Sequence, residues 1–217
     1  MTVRSSERVE AQQLSFVEAA RGAGVRNIVY LSQLRAASDS PVRFLRYHAV
    51  VEDAISSSGM TFTHLRPNLY MQGLLAFASS IGSEGSFFAP IGEARVSIVD
   101  VRDIAAVAAA ALIESGHEGK TYDITGPESL THGEMASQLS DALEKKITFV
   151  DIPEGAMRNA LIGFGLPEWQ AGGLVEDYAH YRRGEAESVS DAVREVTGHA
   201  ARSFAAFARD YKQAFLH

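Results

Sequence analysis

Residues 19–32 read AARGAGVRNIVYLS and join the end of a helix to the start of a buried strand. Upstream, apolar residues recur at helical spacing from Glu7 to Ala20, and Gly22 and Gly24 then end the pattern. Downstream, Asn27 to Ser32 is a short β-branched and aromatic run, typical of a strand buried on both faces of a sheet. A helix, a glycine turn and a buried strand together form half of an α/β repeat.

The same unit recurs in the next part of the chain. His48 to Ser58 has a helical pattern that Gly59 ends, and Thr61 to Arg66 follows as a strand. Pro67 stops that strand because proline cannot donate a hydrogen bond to a neighbouring strand. Helices that alternate with buried strands predict a parallel sheet with right-handed crossovers.

A third unit begins with the short apolar run Ser97 to Val99. Asp100 is placed to cap an alanine-rich helix from Arg102 to Glu114, and Lys120 to Thr125 is the next strand. Gly126-Pro127 then forms a loop at the carboxyl end of that strand. Open α/β folds bind their ligands at such loops.

The pattern changes after Pro127. Thr131 and Glu134 form a capping box, which predicts the start of a helix that reaches Glu144. Ile147 to Ile152 is interpreted as a lone strand, and most of the remaining chain as helix. The later helical stretches are 163–181, which is rich in glycine and aromatic residues, and 200–215.

The composition predicts a globular protein without thiol chemistry. The chain has 217 residues, 46% hydrophobic and 22% charged, enough for one full core or a core with a small subdomain. Its apolar runs, such as Ile104 to Ile113, are far shorter than the ~20 residues of a membrane span, and Met1 to Glu10 resembles no signal peptide. We therefore expect a cytoplasmic protein without membrane association. Because the chain has no cysteine, redox chemistry would need a bound cofactor.

Charge and histidine spacing narrow the class of partner. The net charge is −7 and no strongly basic tract stands out, which argues against nucleic-acid binding. The seven histidines show neither H-x-x-x-H nor H-E-x-x-H spacing, so we expect no metal site. The expected partner is a small molecule.

Several stretches in order resemble the NmrA-like branch of the atypical short-chain dehydrogenase/reductase family. They are residues 19–25 running into 28–32, then 58–68, then 99–105, with 122–127 added. No single stretch is specific, but their order and spacing are. Members of this branch are typically NAD(P)H-dependent reductases of quinones, azo compounds and dyes, or dinucleotide-sensing regulators that have lost catalysis.

The resemblance implies an α/β fold with a partial Rossmann-like parallel sheet and a small, mostly helical C-terminal substrate subdomain. Residues 1–127 are then a truncated NAD(P)-binding region, and residues 128–217 a substrate-binding or lid subdomain packed on it. The implied cofactor is NAD(P)H, and the implied partner a small aromatic acceptor.

The sequence departs from the family pattern in the loop that binds the cofactor and in the residues that donate protons. The glycine-rich loop that holds the pyrophosphate has no counterpart, so we expect NAD(P)H binding to be weak or absent. The family's serine falls on Ser32, but its tyrosine falls on Phe44 and its lysine on His48. Phe44 cannot donate a proton to a carbonyl, which argues against alcohol and ketone chemistry. A quinone or dye can take its proton from water once reduced, so no catalytic residue is assigned.

An inactive regulator and a fragment of a longer reductase remain alternatives to an active reductase.

Four residues are candidates for binding the nicotinamide end of the cofactor. Ser32 stands at the family's serine position, and Pro67 and Asn68 follow the second strand, where the amide of Asn68 could reach a polar group. His48 could hydrogen-bond the nicotinamide ribose, or it could be a helix-surface histidine that pairs with Glu52 at i,i+4. For Pro67 and Asn68 the alternative is a simple strand stop.

Aromatic residues are candidates for the walls of an acceptor pocket. We assign Tyr70, Phe87 and Trp169 to substrate binding, although aromatic residues in such patterns are more often part of the core. Asp100 and Asp103 are interpreted as a helix cap and dipole partner rather than a catalytic pair. Arg66 is interpreted as structural.

The strand 28–31 carries an expectation about assembly. In the family fold this strand is interior, so here one of its edges would face water. Asn27 to Leu31 contains no charged side chain to discourage pairing with another chain. We therefore expect homo-oligomers formed through this edge.

Overall fold

The computed structural model describes residues 6–216. The helices are α1 (Val9–Gly22), α2 (Arg43–Ser56), α3 (Ala78–Glu84), α4 (Val101–Ile113), α5 (His132–Leu143), α6 (Glu154–Gly163), α7 (Glu168–Arg182), α8 (Ala192–Thr197), α9 (Phe204–Asp210) and α10 (Lys212–Phe215). The strands are β1 (Asn27–Leu31), β2 (Thr61–Pro67), β3 (Ser86–Ala89), β4 (Arg95–Val96), β5 (Lys120–Ile124), β6 (Leu130–Thr131) and β7 (Thr148–Asp151). A 3₁₀ helix spans Met71–Phe77.

The predicted parallel sheet is confirmed. Three strands lie in the order β1-β2-β5, and both pairs are parallel. Asn27 lies opposite Thr61 and Thr63 lies opposite Lys120, so all three strands point the same way. Helices connect them, as alternating helices and strands require.

Helices cover the two faces of this sheet. On one face Ile28 and Tyr30 pack against α1 and α2, where Val17, Val51 and Ile55 are buried. On the other face side chains from β1, β2 and β5 pack against α4 and α8. Successive strand residues point to opposite faces, which explains why Ile28 to Leu31 are all hydrophobic or aromatic.

A second core lies beside the sheet and corrects one prediction. β7 is not a lone strand, because it pairs in parallel with β3, with Phe87 opposite Phe149. This pair packs with α5, α9 and α10. Gly85 adopts a left-handed conformation (φ 67°) just before β3, and nothing in the local sequence revealed the strand that begins after it.

The second core crosses the predicted division of the chain. Met71 and Ile81, which precede residue 127, are buried in the second core, whereas Val193, which follows it, packs on the sheet. The division into residues 1–127 and 128–217 stays a prediction.

Several predicted elements differ from the observed ones, and the largest differences concern α2, residues 97–99 and the C-terminal helix. α2 begins at Arg43 rather than His48, because the backbone N–H of Arg43 donates to Glu176 of α7 over 2.8 Å. Ser97 to Val99 does not form a ladder, and Val99 makes only an isolated parallel bridge with Tyr70. The predicted C-terminal helix is two helices, α9 and α10, that meet at Tyr211.

Some local signals are confirmed residue by residue. Thr131 and Glu134 form the predicted capping box at the start of α5. The side chain of Asp100 caps α4 by accepting from the N–H of Arg102 over 2.8 Å.

Two observations concern the outside of the molecule. β1 lies at one end of the strand order, and the association of two copies through it stays a prediction. Within residues 6–216, every helix is too short or too polar to cross a bilayer.

We expect Gly126→Ala to lower the free energy of unfolding by about 2 kcal/mol or more, measured by urea unfolding. A Cβ at this position would overlap the backbone carbonyl oxygen of Ile98, which cannot move aside as a side chain would. Gly155→Ala is the matched control, because apart from its chain neighbours and the backbone of its own helix no described atom lies within 4 Å of the point that a Cβ would occupy there. The control should leave stability unchanged or raise it by up to about 1 kcal/mol. Equal losses of unfolding free energy in both variants would contradict the close contact between Gly126 and the Ile98 carbonyl.

Candidate functional site

A cavity of about 310 Å³ lies at the carboxyl ends of β1 and β2, and we call it the strand-end cavity. Because the two strands are parallel, Ser32 after β1 and Asn68 after β2 reach the same edge of the sheet. Ligands of open α/β sheets bind at this edge. The wall consists of Ser32, Gln33, Phe44, His48, Pro67, Asn68, Leu69, Tyr70, Gly73, Gln170, Leu174, Asp177 and Tyr181.

A second cavity, of about 470 Å³, adjoins the first, and we call it the apolar cavity. Leu69, Tyr70, Gly73 and Leu174 line both spaces, so the two cavities meet beside Tyr70. The rest of its wall is Leu74, Ala76, Phe77, Phe88, Ile98, His132, Met135, Met157, Ala160, Leu161, Phe164, Leu166 and Tyr178.

His48 lies on the strand-end cavity and is held by a buried network. Tyr30 Oη donates to Oε1 of Gln13 over 2.7 Å and lies 2.7 Å from Nδ1 of His48. A tyrosine hydroxyl has one proton, so His48 donates through Nδ1 and keeps Nε2 as an acceptor. Burial lowers the pKa of His48 to about 3, which keeps the ring neutral at physiological pH.

The helix-surface pairing of His48 with Glu52 is not observed. Glu52 is buried and accepts from Arg66 Nε over 2.9 Å and from its Nη2 over 2.5 Å. Burial by itself would raise the pKa of Glu52, but the hydrogen bonds from Arg66 hold it below its usual value. The structural interpretation of Arg66 is therefore confirmed.

Ser32 lies on the same wall, with its hydroxyl buried. The oxygen makes no well-formed hydrogen bond within the described residues, although the hydroxyl lies near enough to Glu52 to help lower its pKa. A buried hydroxyl with spare hydrogen-bonding capacity is suited to a ligand.

Pro67 and Asn68 line the cavity, but the amide of Asn68 is already engaged. Its Nδ2 donates to Ser97 Oγ and to the carbonyl of Ala186, both over 2.8 Å. Its Oδ1 accepts from the N–H of Leu69 over 2.8 Å. Asn68 thus fixes the loop after β2, and a direct contact with a ligand, which stays a prediction, would use the second lone pair of Oδ1.

The three predicted acceptor-binding residues lie in different surroundings. Tyr70 is 37% exposed and borders both cavities. Trp169 packs on Phe44 with 5.2 Å between ring centroids, so it supports the wall of the strand-end cavity from behind. Phe87 is buried in the second core, and its neighbour Phe88 faces the apolar cavity instead, because successive strand residues alternate.

Sequence reasoning missed the contribution of α7. Leu174, Asp177 and Tyr181 of this helix line the strand-end cavity, together with Gln170. Asp177 is buried, and burial raises its pKa to about 7 although Gln33 donates to it over 2.9 Å. An acidic residue at helical spacing between Leu174 and Tyr181 was the available signal.

The remaining acidic candidates serve structure. Asp103 is buried in α4 and forms an ion pair with Arg202, as expected for a structural carboxylate. Within the described part of the chain, no cluster of three or more histidine and acidic side chains is arranged to hold a metal ion.

The parallel sheet and the cavity at its strand ends define a Rossmann-like α/β protein. The sequence model of the NmrA-like family matches residues 1–203. The chain belongs to that family.

Similar proteins include several reductases. The NAD(P)H azoreductase of Xenophilus azovorans is 39% identical over 201 residues, which are 93% of this chain and 70% of that protein. The structure of the Escherichia coli NADPH-dependent quinone oxidoreductase complexed with NADPH matches with a TM-score of 0.87 at 28% identity, over 96% of this chain and 74% of that one. The Citrobacter triphenylmethane reductase complexed with NADP(H) matches with a TM-score of 0.79 at 30% identity, over 95% and 71%.

We expect Tyr30→Phe to lower the free energy of unfolding by about 1–3 kcal/mol, because Gln13 and His48 would lose a buried partner. Urea unfolding measures the change. Tyr122→Phe is the matched control, since it removes a 2.8 Å hydrogen bond to His117 at a half-buried site. We expect the control to lose less than about 1 kcal/mol. A loss in Tyr30→Phe no larger than in the control would show that the network does not hold His48.

Proposed function

We propose that the protein is an NAD(P)H-dependent reductase of quinone, azo or dye-like acceptors. The observation that carries the proposal is the meeting of the strand-end cavity with the apolar cavity beside Tyr70. A dinucleotide whose nicotinamide lies in the first space would face a flat acceptor in the second. When bound, NAD(P)H supplies a hydride to the acceptor.

The residues of the strand-end cavity fit the uncharged end of such a cofactor. Nε2 of His48 is an acceptor for a ribose hydroxyl, and the Ser32 hydroxyl has spare hydrogen-bonding capacity. Pro67 and Asn68 would shape the floor at the end of β2. The described residues of the wall include no lysine or arginine, so they suit the nicotinamide and its ribose rather than the phosphates.

The apolar cavity fits the acceptor. Phe77, Phe88 and Tyr178 offer aromatic surfaces, and Met135 and Met157 offer adaptable apolar contacts. These residues exclude water and orient a flat ring system against the strand-end cavity, which is the main contribution the protein makes to hydride transfer. The names of the azoreductase, the quinone oxidoreductase and the triphenylmethane reductase support this class of acceptor.

Phe44 argues against reduction of simple ketones. Its ring lines the strand-end cavity but carries no proton to give. A regulator without turnover is the second candidate function, and it is favoured by the same lack of a proton donor at Phe44. A measurement of turnover distinguishes the reductase from the regulator.

We expect the chain to reduce a naphthoquinone or an azo dye with NADPH, measured by loss of NADPH absorbance, well above a protein-free blank. Ala160→Trp should raise KM for the acceptor at least about tenfold, because the indole would fill the apolar cavity. Ile162→Trp on the same helix is the control, since Ile162 is 39% exposed and should change KM little. Turnover no higher than the blank would favour the regulator.

We also expect NADPH to bind weakly, with a dissociation constant above the micromolar range in calorimetry. The described wall of the strand-end cavity offers the phosphates no lysine or arginine. Each charge-assisted hydrogen bond to phosphate that is not made forgoes about 1.5–3 kcal/mol, and each 1.4 kcal/mol changes affinity about tenfold. Reduced nicotinamide mononucleotide is the control ligand, because it contains only the half that the strand-end cavity fits. The two ligands should bind within about threefold of each other. A micromolar or tighter constant for NADPH would contradict this expectation.

A further inference from the structure

One face of α7 lies along the junction of the two cavities. Leu174 lines both spaces, Asp177 and Tyr181 line the strand-end cavity, and Tyr178 lines the apolar cavity. Residues three and four apart on a helix are neighbours, so Asp177 lies next to the side chains that border the junction. It is the only carboxyl side chain on the described walls of either cavity.

Asp177 has no cationic partner within the described residues. It is 6% exposed, and the hydrogen bond that reaches it comes from the uncharged amide of Gln33, to Oδ1 over 2.9 Å. A buried carboxylate without a cation is costly, so the protonated form is favoured. Oδ1 accepts from Gln33, which leaves Oδ2 to carry the proton.

The other groups around Asp177 supply no positive charge. The titratable side chains that face it are Tyr47, His48, Tyr70, Glu176, Tyr178 and Tyr181. The tyrosines and His48 are neutral at physiological pH. Burial, with a smaller contribution from Glu176, raises the pKa of Asp177 to about 7.

The cations on elements packed against α7 are engaged elsewhere. They are Arg43 and Arg46 of α2, Arg95 of β4 and Arg158 of α6. Arg43, Arg95 and Arg158 pair with Glu176, Glu134 and Glu168, and Arg46 donates to the carbonyl of Ser40 over 2.7 Å. Among residues 6–216, none of these cations pairs with Asp177.

We propose that Asp177 is the proton donor for acceptors whose reduction requires a proton. This inference rests on the proposed function. In the step, a quinone gains a hydride from NAD(P)H and a proton from Asp177 Oδ2 and becomes a hydroquinone. NAD(P)⁺ and the Asp177 carboxylate remain, and the carboxylate then takes a proton from water. Asp177 thus donates the proton that Phe44, which has no acidic group, cannot donate.

Acceptors of two kinds separate this role from the hydride step. A neutral quinone needs one hydride and one proton, whereas a triarylmethane dye cation needs the hydride alone and becomes a neutral leuco dye. Asp177→Asn keeps an oxygen that can accept from Gln33 but has no acidic proton. We expect kcat for the quinone to fall about 10²-fold with KM within about twofold, and kcat for the dye cation to stay within about twofold.

The pH profile provides the second readout. In the wild type, kcat for the quinone should fall as pH rises through about 7, whereas the residual rate of Asp177→Asn should lack this step. Asp177→Glu should recover part of the quinone rate. Asp141→Asn is the matched control, because Asp141 is an exposed residue of α5, and it should behave as the wild type with both acceptors.

A third readout needs no cofactor. Between about pH 5 and 7, where ordinary carboxyl groups are ionised, the infrared carbonyl band of a protonated carboxylic acid should be present in the wild type and absent from Asp177→Asn, and it should disappear from the wild type as pH rises through about 7. Because the folded pKa of Asp177 lies above the unfolded one, the stability that its protonated form contributes is lost as pH rises from about 4 to about 7. The difference in unfolding free energy between the wild type and Asp177→Asn should therefore decrease over this range.

The outcomes are distinguishable. If neither acceptor is reduced by the wild type, the proposed function fails. If both are reduced and Asp177→Asn slows them equally, or slows neither, Asp177 is not the donor and water supplies the proton. Absence of the infrared band would overturn the inference independently of activity.

Discussion

The parallel pairing of β1, β2 and β5 is the constraint on which the candidate site depends. Strands of a parallel sheet all end at the same edge, so the chain leaves each of them in one place. The register that sets Leu31 opposite Leu65 brings Ser32 and Asn68, which are distant in sequence, to the wall of one cavity. The helical crossovers needed for this pairing also supply His48 and Phe44 to that wall.

Buried carboxyl groups are treated in two different ways. Three of them are held by arginine, which satisfies the charge that burial would otherwise make costly. The pairs are Glu52 with Arg66, Asp100 with Arg102, and Asp103 with Arg202. Asp177 is held by an amide instead, and it lines the strand-end cavity. The contrast separates carboxyl groups that hold the fold together from one that is free to exchange a proton.

Helix α7 both packs on Phe44 and supplies Asp177. The Phe44 ring lies against Gly173, so close that a Cβ on that glycine would overlap Cζ. The helix that closes the strand-end cavity therefore requires a glycine beside Phe44, and it brings Asp177 to the wall of the cavity.

The sequence by itself determined the helices and strands of the parallel sheet β1-β2-β5, the capping box of α5 and the positions of Ser32 and Asn68 at strand ends, because these depend on local periodicity and turn chemistry. Only the tertiary structure decided that β7 pairs with β3, and that the amide of Asn68 is engaged by Ser97 and Ala186. The same holds for the place of Asp177 on the wall of the strand-end cavity. The physical reason is that each of these features depends on partners far away in the chain, which no local pattern specifies.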